Sequence, residues 1–119
     1  MKKAASDDDR VWRALAEPLR RRILDALAEA PCTTGQLVEL LPEIGRTAVM
    51  KHLDVLEAAE LIIVERVGRV RWNHFNAVPI DRICRHWIDK RRQRITGQLD
   101  RLKNLAEADA QAELRRDKE

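Results

Sequence analysis

No stretch of this 119-residue chain is apolar for long enough to cross a membrane, a length that takes about 20 residues as a helix. The opening Met1-Lys2-Lys3-Ala4 runs into Asp7-Asp8-Asp9 and not into the apolar core of a secretory signal, so the expected location is cytoplasmic, without a membrane partner. Cysteine is scarce as well. Cys32 and Cys84 are too few for a disulfide framework in a domain of this size, and both are expected as reduced thiols. The sequence contains no glycine-rich phosphate loop, no nucleophile with an identifiable base and no carboxylate pair in a motif, which leaves an enzyme as the class with least support and no cofactor to expect. The chain is short enough for one domain and has no room for a second.

What is present is charge and helical periodicity. A net charge of +3 is compatible with nucleic acid without demanding it. Its distribution says more: residues 76–104 hold eight basic and three acidic side chains, whereas residues 46–75 hold five and four. The excess therefore lies in the C-terminal helix, where it reads first as a solvated face and second as a surface for phosphate or an acidic partner.

The most informative stretch is Thr33 to Glu60. Thr33 followed by Gln36 is a capping-box start, and Leu37, Leu40 and Leu41 then give a short helix an apolar edge. Pro42 ends it and Gly45 offers a sharp corner. From Arg46 the residues Val49, Leu53 and Leu56 stack on one face of a second helix, which turns Thr47, Met50, Lys51 and Asp54 outward. This is the layout of a helix-turn-helix DNA reader. Before it, Met1 to Ser6 is expected as a frayed tail, and the acids at residues 7–9 suit a helix N-terminus, with Val11, Trp12, Leu15 and Ala16 as the apolar side of that helix. Pro18 suits the first turn of the next, whose stripe is Leu19, Ile23, Leu24 and Leu27. Arg20, Arg21 and Arg22 point about 100° apart and so cannot form one patch; they read as surface and ion-pair positions. After the reader, residues 61–64 and 70–75 form a hairpin about Val67-Gly68-Arg69, anchored by Ile62, Val64 and Trp72. From Pro79 a long helix is expected, fraying beyond Ala108, with Ile80, Ile83, Cys84, Trp87, Ile95, Leu99, Leu102 and Leu105 near a heptad-like rhythm. Such a helix is too long for its stripe to be covered by so small a domain, and its exposed part needs a second copy.

Three segments, Glu17-Pro18-Leu19-Arg20-Arg21-Arg22-Ile23-Leu24, residues 49–62 and Gly68-Arg69-Val70-Arg71-Trp72, closely resemble the ArsR/SmtB family of winged helix-turn-helix repressors in order and spacing, over roughly Trp12 to Phe75. The resemblance implies a mainly α fold with one β-hairpin as the wing and a long C-terminal dimerisation helix. It divides the single domain into a DNA-binding core and wing over 7–78, the dimerisation helix over 79–108 and a frayed tail over 109–119. It implies a homodimeric repressor on an inverted-repeat operator in double-stranded DNA. The implied DNA contacts are Arg46, Thr47, Ala48, Met50, Lys51 and His52 on the reader with Arg66, Arg69 and Arg71 on the wing. The implied dimer contacts are Trp12, Leu15, Trp87, Ile95, Leu99 and Leu102.

The family's metal-ligand patterns are incomplete here. Cys32-Thr33-Thr34 supplies one of two cysteines at the third helix, and Asp81 is followed by Arg82 and Ile83 where a histidine is needed. Cys84 and His86, two apart on a helix, face nearly opposite ways and cannot share an ion. No metal site is expected, and the inducing signal stays open. Two further readings stand beside the repressor: a dimeric interaction module that kept the fold, and a thiol-based redox sensor using Cys32 and Cys84.

Overall fold

The computed structural model describes residues 6–117, so all but Ser6 of the tail expected over Met1 to Ser6, and the last two residues, lie outside it. The described chain comprises two compact units, the first ending at Ile83 and the second beginning at Cys84.

In the first unit each helix starts where a cap permits it. Helix α1 (Asp7–Leu15) begins on Ser6, whose Oγ accepts from the Asp9 N–H at 3.1 Å, so Ser6 is a cap and not part of a tail. Helix α2 (Pro18–Glu29) has proline in its first turn, where the missing N–H costs nothing. The arginine run divides its work. Arg20 donates to the carbonyls of Ala14 (2.8 Å) and Arg13 (3.0 Å), and Arg21 to that of Leu15 (2.7 Å), satisfying the orphan carbonyls at the end of α1. Arg22 pairs with Glu43, whose carboxyl is held below its ordinary range by a backbone hydrogen bond and by that guanidinium.

Strand β1 (Cys32–Thr33) leads into α3 (Thr34–Leu40), and the capping box forms in full: Gln36 N–H to Thr33 Oγ1 at 3.1 Å and Thr33 N–H to Gln36 Oε1 at 2.9 Å. Helix α4 (Arg46–Ala58) starts on Gly45, which is extended (φ −84°, ψ 172°) and gives no side-chain cap. The corner before α4 therefore does not use the conformational freedom of glycine. The chain instead leaves α4 through Glu60, which has a left-handed φ of 60°. The Leu61 N–H reaches the Leu56 carbonyl and the Glu60 N–H that of Glu57, both at 2.9 Å, and the buried Leu56 and Leu61 supply the hydrophobic contact of a Schellman motif.

Strands β2 (Ile62–Val67) and β3 (Val70–Phe75) form the expected hairpin, its two-residue loop opening on Gly68 at φ 61°. The sheet has a third member, since Cys32 pairs with Asn73 and Thr33 with Trp72, giving the antiparallel order β1-β3-β2. The expected anchor on β3 is replaced. Opposite residues of a ladder share a face, and the pairs Ile62–Phe75, Val64–Asn73 and Arg66–Arg71 place Asn73, and not Trp72, inward behind the buried Ile62. Asn73 is fully buried and donates through Nδ2 to the Cys32 carbonyl and to Thr34 Oγ1, both at 3.2 Å. Trp72, on the other face, is half-buried.

Helix α5 (Val78–Ile83) closes the unit. Asn76 accepts from the Val78 N–H and donates to the Glu60 carbonyl at 2.8 Å, tying the start of α5 to the exit of α4. Arg82 pairs with Asp8 of α1 at 3.0 Å. The core of this unit comprises residues from α1 to α5, among them Val11, Ile23, Leu27, Leu37, Val49, Leu53, Leu56 and Ile83, all within 3% of complete burial.

The second unit is helical: a π-type turn over Cys84–Asp89 followed by α6 (Lys90–Asp117). No residue of α6 is buried. The helix continues past Ala108, where the sequence suggests fraying, because residues 106–116 are rich in Ala, Glu, Leu and Arg, the strongest helix formers. The periodicity of the sequence carries no sign of the π turn.

Candidate nucleic-acid interface

Helix α4 sorts its residues by angle. Thr47 and Lys51 lie about 120–180° from Val49, Leu53 and Leu56 and are exposed, as is Arg46 at the first helical position. Ala48 is half-buried. Met50 does not face outward as expected: it sits about 60° from Leu53, close enough to the buried stripe to pack against the core. His52 flanks the stripe on the other side and is also half-buried, its Nδ1 3.3 Å from Nη1 of Arg20. That contact crosses from α4 to α2, and nothing in the local sequence of α4 announces it.

The wing arginines differ among themselves. Arg66 and Arg71 stand directly opposite on the ladder, an arrangement of like charges that costs stability unless offset. Glu57 of α4 supplies the offset, with Oε2 2.9 Å from Arg71 Nη2. Arg71 is thereby withdrawn from solvent, its side chain only 11% exposed, and it braces the wing on α4 instead of standing free beside it. Its Nε is buried without an acceptor. Arg66 and Arg69 are exposed.

The start of α3, the start of α4 and the wing surround one open cavity of about 490 Å³. Arg46, Arg66, Arg69 and Arg71 contribute to its walls, with Thr33, Thr34 and Gly35 on one side and the apolar Met50 and Val70 on another. Thus five of the nine residues expected at DNA, four arginines and Met50, meet around a single concavity, while Thr47 and Lys51 project from the helix beside it.

The expected dimer residues stand differently. Leu15 is half-buried against the core of its own unit. Trp12 is 42% exposed; in the second unit Trp87 is covered on one face by the Arg91 guanidinium, 4.4 Å from the ring centroid. Ile95, Leu99 and Leu102 are exposed along α6. Cys32 donates to the Ala30 carbonyl at 3.4 Å, and both thiols are free. Among the described residues no three His, Cys, Asp or Glu side chains gather closely enough to hold a metal ion, and no helix is long and apolar enough to cross a membrane.

A short helix, a corner, a second helix with a polar outward row and a hairpin braced on it define a winged helix-turn-helix domain. A family model described as a helix-turn-helix domain matches residues 15–65. The HTH-type transcriptional regulator Rv2034 of Mycobacterium tuberculosis is 43% identical over 63 residues, 53% of this chain and 58% of that protein, so the chain spans little more than half of that relative. The transcriptional repressor SdpR of Bacillus subtilis is 32% identical over 70 residues, 59% of this chain and 77% of that protein. The solved structure of an ArsR-like transcriptional regulator from Rhodococcus sp. RHA1 superposes with a TM-score of 0.68 at 27% identity, over 86% of this chain and 92% of that one. The chain belongs to the ArsR/SmtB family of winged helix-turn-helix transcriptional regulators, a family of regulators and not of enzymes.

Proposed function

We propose that the protein is a cytoplasmic, homodimeric repressor that binds an inverted-repeat operator in double-stranded DNA, with α4 in the major groove of each half-site and the wing against the backbone. The observation that carries this reading is the convergence of the α4 start and the wing arginines on one concavity, beside the outward pair Thr47 and Lys51. Thr47, Ala48 and Lys51 face base edges or adjoining phosphates, and Arg46, Arg66 and Arg69 meet phosphate oxygens. Met50, His52 and Arg71 support the reader from behind. Residues 7–78 are the DNA-binding core and wing, and the helix that follows is the dimerisation element.

The dimer draws support from α6, whose leucines are 60–64% exposed. Residues 90–103 hold six basic and one acidic side chains and residues 104–117 two and four. Two antiparallel α6 helices would set basic halves against acidic halves. With Leu99 facing Leu102 of the second copy, Arg92 meets Asp109 and Arg94 meets Glu107; a parallel pair would stack like on like. Occupancy of the operator by such a dimer excludes other proteins from it, which is repression. Because the family's metal-ligand patterns are incomplete in this chain, release by zinc, cadmium or arsenite is not expected.

The test is selection of bound duplexes from random DNA, followed by salt-dependent binding of variants to the selected and to random sequences. Lys51→Ala and Arg69→Ala should each weaken binding, a lost phosphate contact lowering the salt slope by about one unit. Thr47→Ala should relax sequence preference and leave the slope unchanged. Leu99→Asp should convert dimer to monomer in sedimentation and weaken operator binding with it. If neutralising Arg91, Arg92 and Arg94 removes the slope while Lys51→Ala and Arg69→Ala keep it, this surface is wrong.

A further inference from the structure

Several arginines are paired with carboxylates, among them Arg10 with Asp7, Arg22 with Glu43, Arg71 with Glu57, Arg82 with Asp8 and Arg92 with Asp89. Arg46, Arg66 and Arg69 are different. Among the described residues no carboxylate comes within ion-pair distance of any of them, and they meet around the same cavity of about 490 Å³. No acidic side chain lines that cavity, so the charges of Arg46, Arg66 and Arg69 are concentrated there without a counter-ion, while Arg71 alone is paired, with Glu57. Its volume falls within the range of small-molecule sites, and its walls are of two kinds. The guanidinium groups present forked donors suited to a phosphoryl group, and Met50 with Val70 forms an apolar wall. Thr34 adds a hydroxyl at the rim: its oxygen accepts from Asn73 Nδ2, which leaves its proton as a donor. Behind the wall, the buried Nε of Arg71 still has no acceptor.

We propose that this cavity is a phosphoryl-binding site that takes a free phosphate ester or pyrophosphate when the protein is off DNA, and a backbone phosphate when it is on DNA, so that the two exclude each other. The small ligand is one that carries a phosphoryl group beside an apolar portion, the first for the arginines and the second for Met50 and Val70. The part of this inference that concerns DNA rests on the function proposed above; binding of the free anion does not. A ligand in this cavity acts directly on the reading surface, through the same arginines, and needs no conformational relay to weaken operator binding.

The experiment titrates the full-length protein, without DNA, with inorganic pyrophosphate and separately with sodium chloride at matched ionic strength, read by calorimetry and by arginine Nε–H resonances. Saturable binding of one pyrophosphate per chain is expected, with the Arg66 and Arg69 resonances moving and the chloride arm flat. Arg66→Gln and Arg69→Gln should each weaken pyrophosphate roughly tenfold or more, as loss of a charge-assisted hydrogen bond requires. The double variant Arg115→Gln, Arg116→Gln removes charge from the end of α6 and should leave pyrophosphate binding unchanged. Added to the protein–operator complex, pyrophosphate should displace DNA more than chloride of equal ionic strength does. Equal effects of pyrophosphate and chloride, or equal weakening by the α6 variant, would overturn the site. Saturable binding with no displacement would overturn the exclusion. Saturable, arginine-dependent binding by a protein that holds no duplex would sustain the site and refute the DNA reading instead.

Discussion

The two units of this protein use apolar residues in opposite ways. In the first, leucine, isoleucine and valine from five short helices and β2 are drawn into one core, and several of them are completely buried. In the second, Ile95, Leu99, Leu102, Leu105 and Leu114 lie on a 28-residue helix and are 42–64% exposed. An isolated helix is marginal in water, and one with an uncovered leucine row gains most of its stability when another surface buries that row. The same residue types are therefore a core in one unit and an exposed row in the other.

Truncation of equivalent leucines gives the largest contrast. Leu53→Ala empties a completely buried site and should cost about 2–5 kcal/mol in urea unfolding, whereas Leu102→Ala, at a site 62% exposed, should leave unfolding of the first unit nearly unchanged and act on self-association measured by sedimentation. A comparable loss from both would break the comparison. Asn73→Ala comes next. It strips the Cys32 carbonyl and Thr34 Oγ1 of their shared donor inside the first unit, at a cost of about 1–3 kcal/mol, and should speed amide exchange at the start of α3.

Glu60→Gly acts in the other direction. It relieves a non-glycine residue at φ 60° and should stabilise the first unit by about 1 kcal/mol, seen as a higher unfolding midpoint. Gly97→Ala sharpens the comparison from the side of the second unit. A Cβ there meets nothing within 4 Å, so the substitution should raise the helicity of α6 in circular dichroism and stabilise it by about 0.5–1 kcal/mol, without moving the unfolding of the first unit.

The sequence by itself determined whatever depends on neighbours along the chain. The Thr33–Gln36 box, Pro18 in the first turn of α2, Pro42 after α3 and the stripe Val49, Leu53, Leu56 are set by backbone hydrogen bonding and by 3.6-residue periodicity, which reach no farther than a turn or two. The candidate site was legible to the same extent: Thr47 and Lys51 face outward because their angle to that stripe leaves them nowhere else to point. Only the tertiary structure decided the rest. Alternation on β3 was compatible with either face, and pairing with both β1 and β2 turned Asn73 inward and Trp72 away. Arg71 and His52 read as DNA contacts from the sequence, and only the fold brings Glu57 and Arg20 against them from other elements. A side chain's own sequence neighbourhood fixes its direction, but what lies across the gap decides whether its charge remains available to a partner, and that depends on contacts between residues distant in the chain.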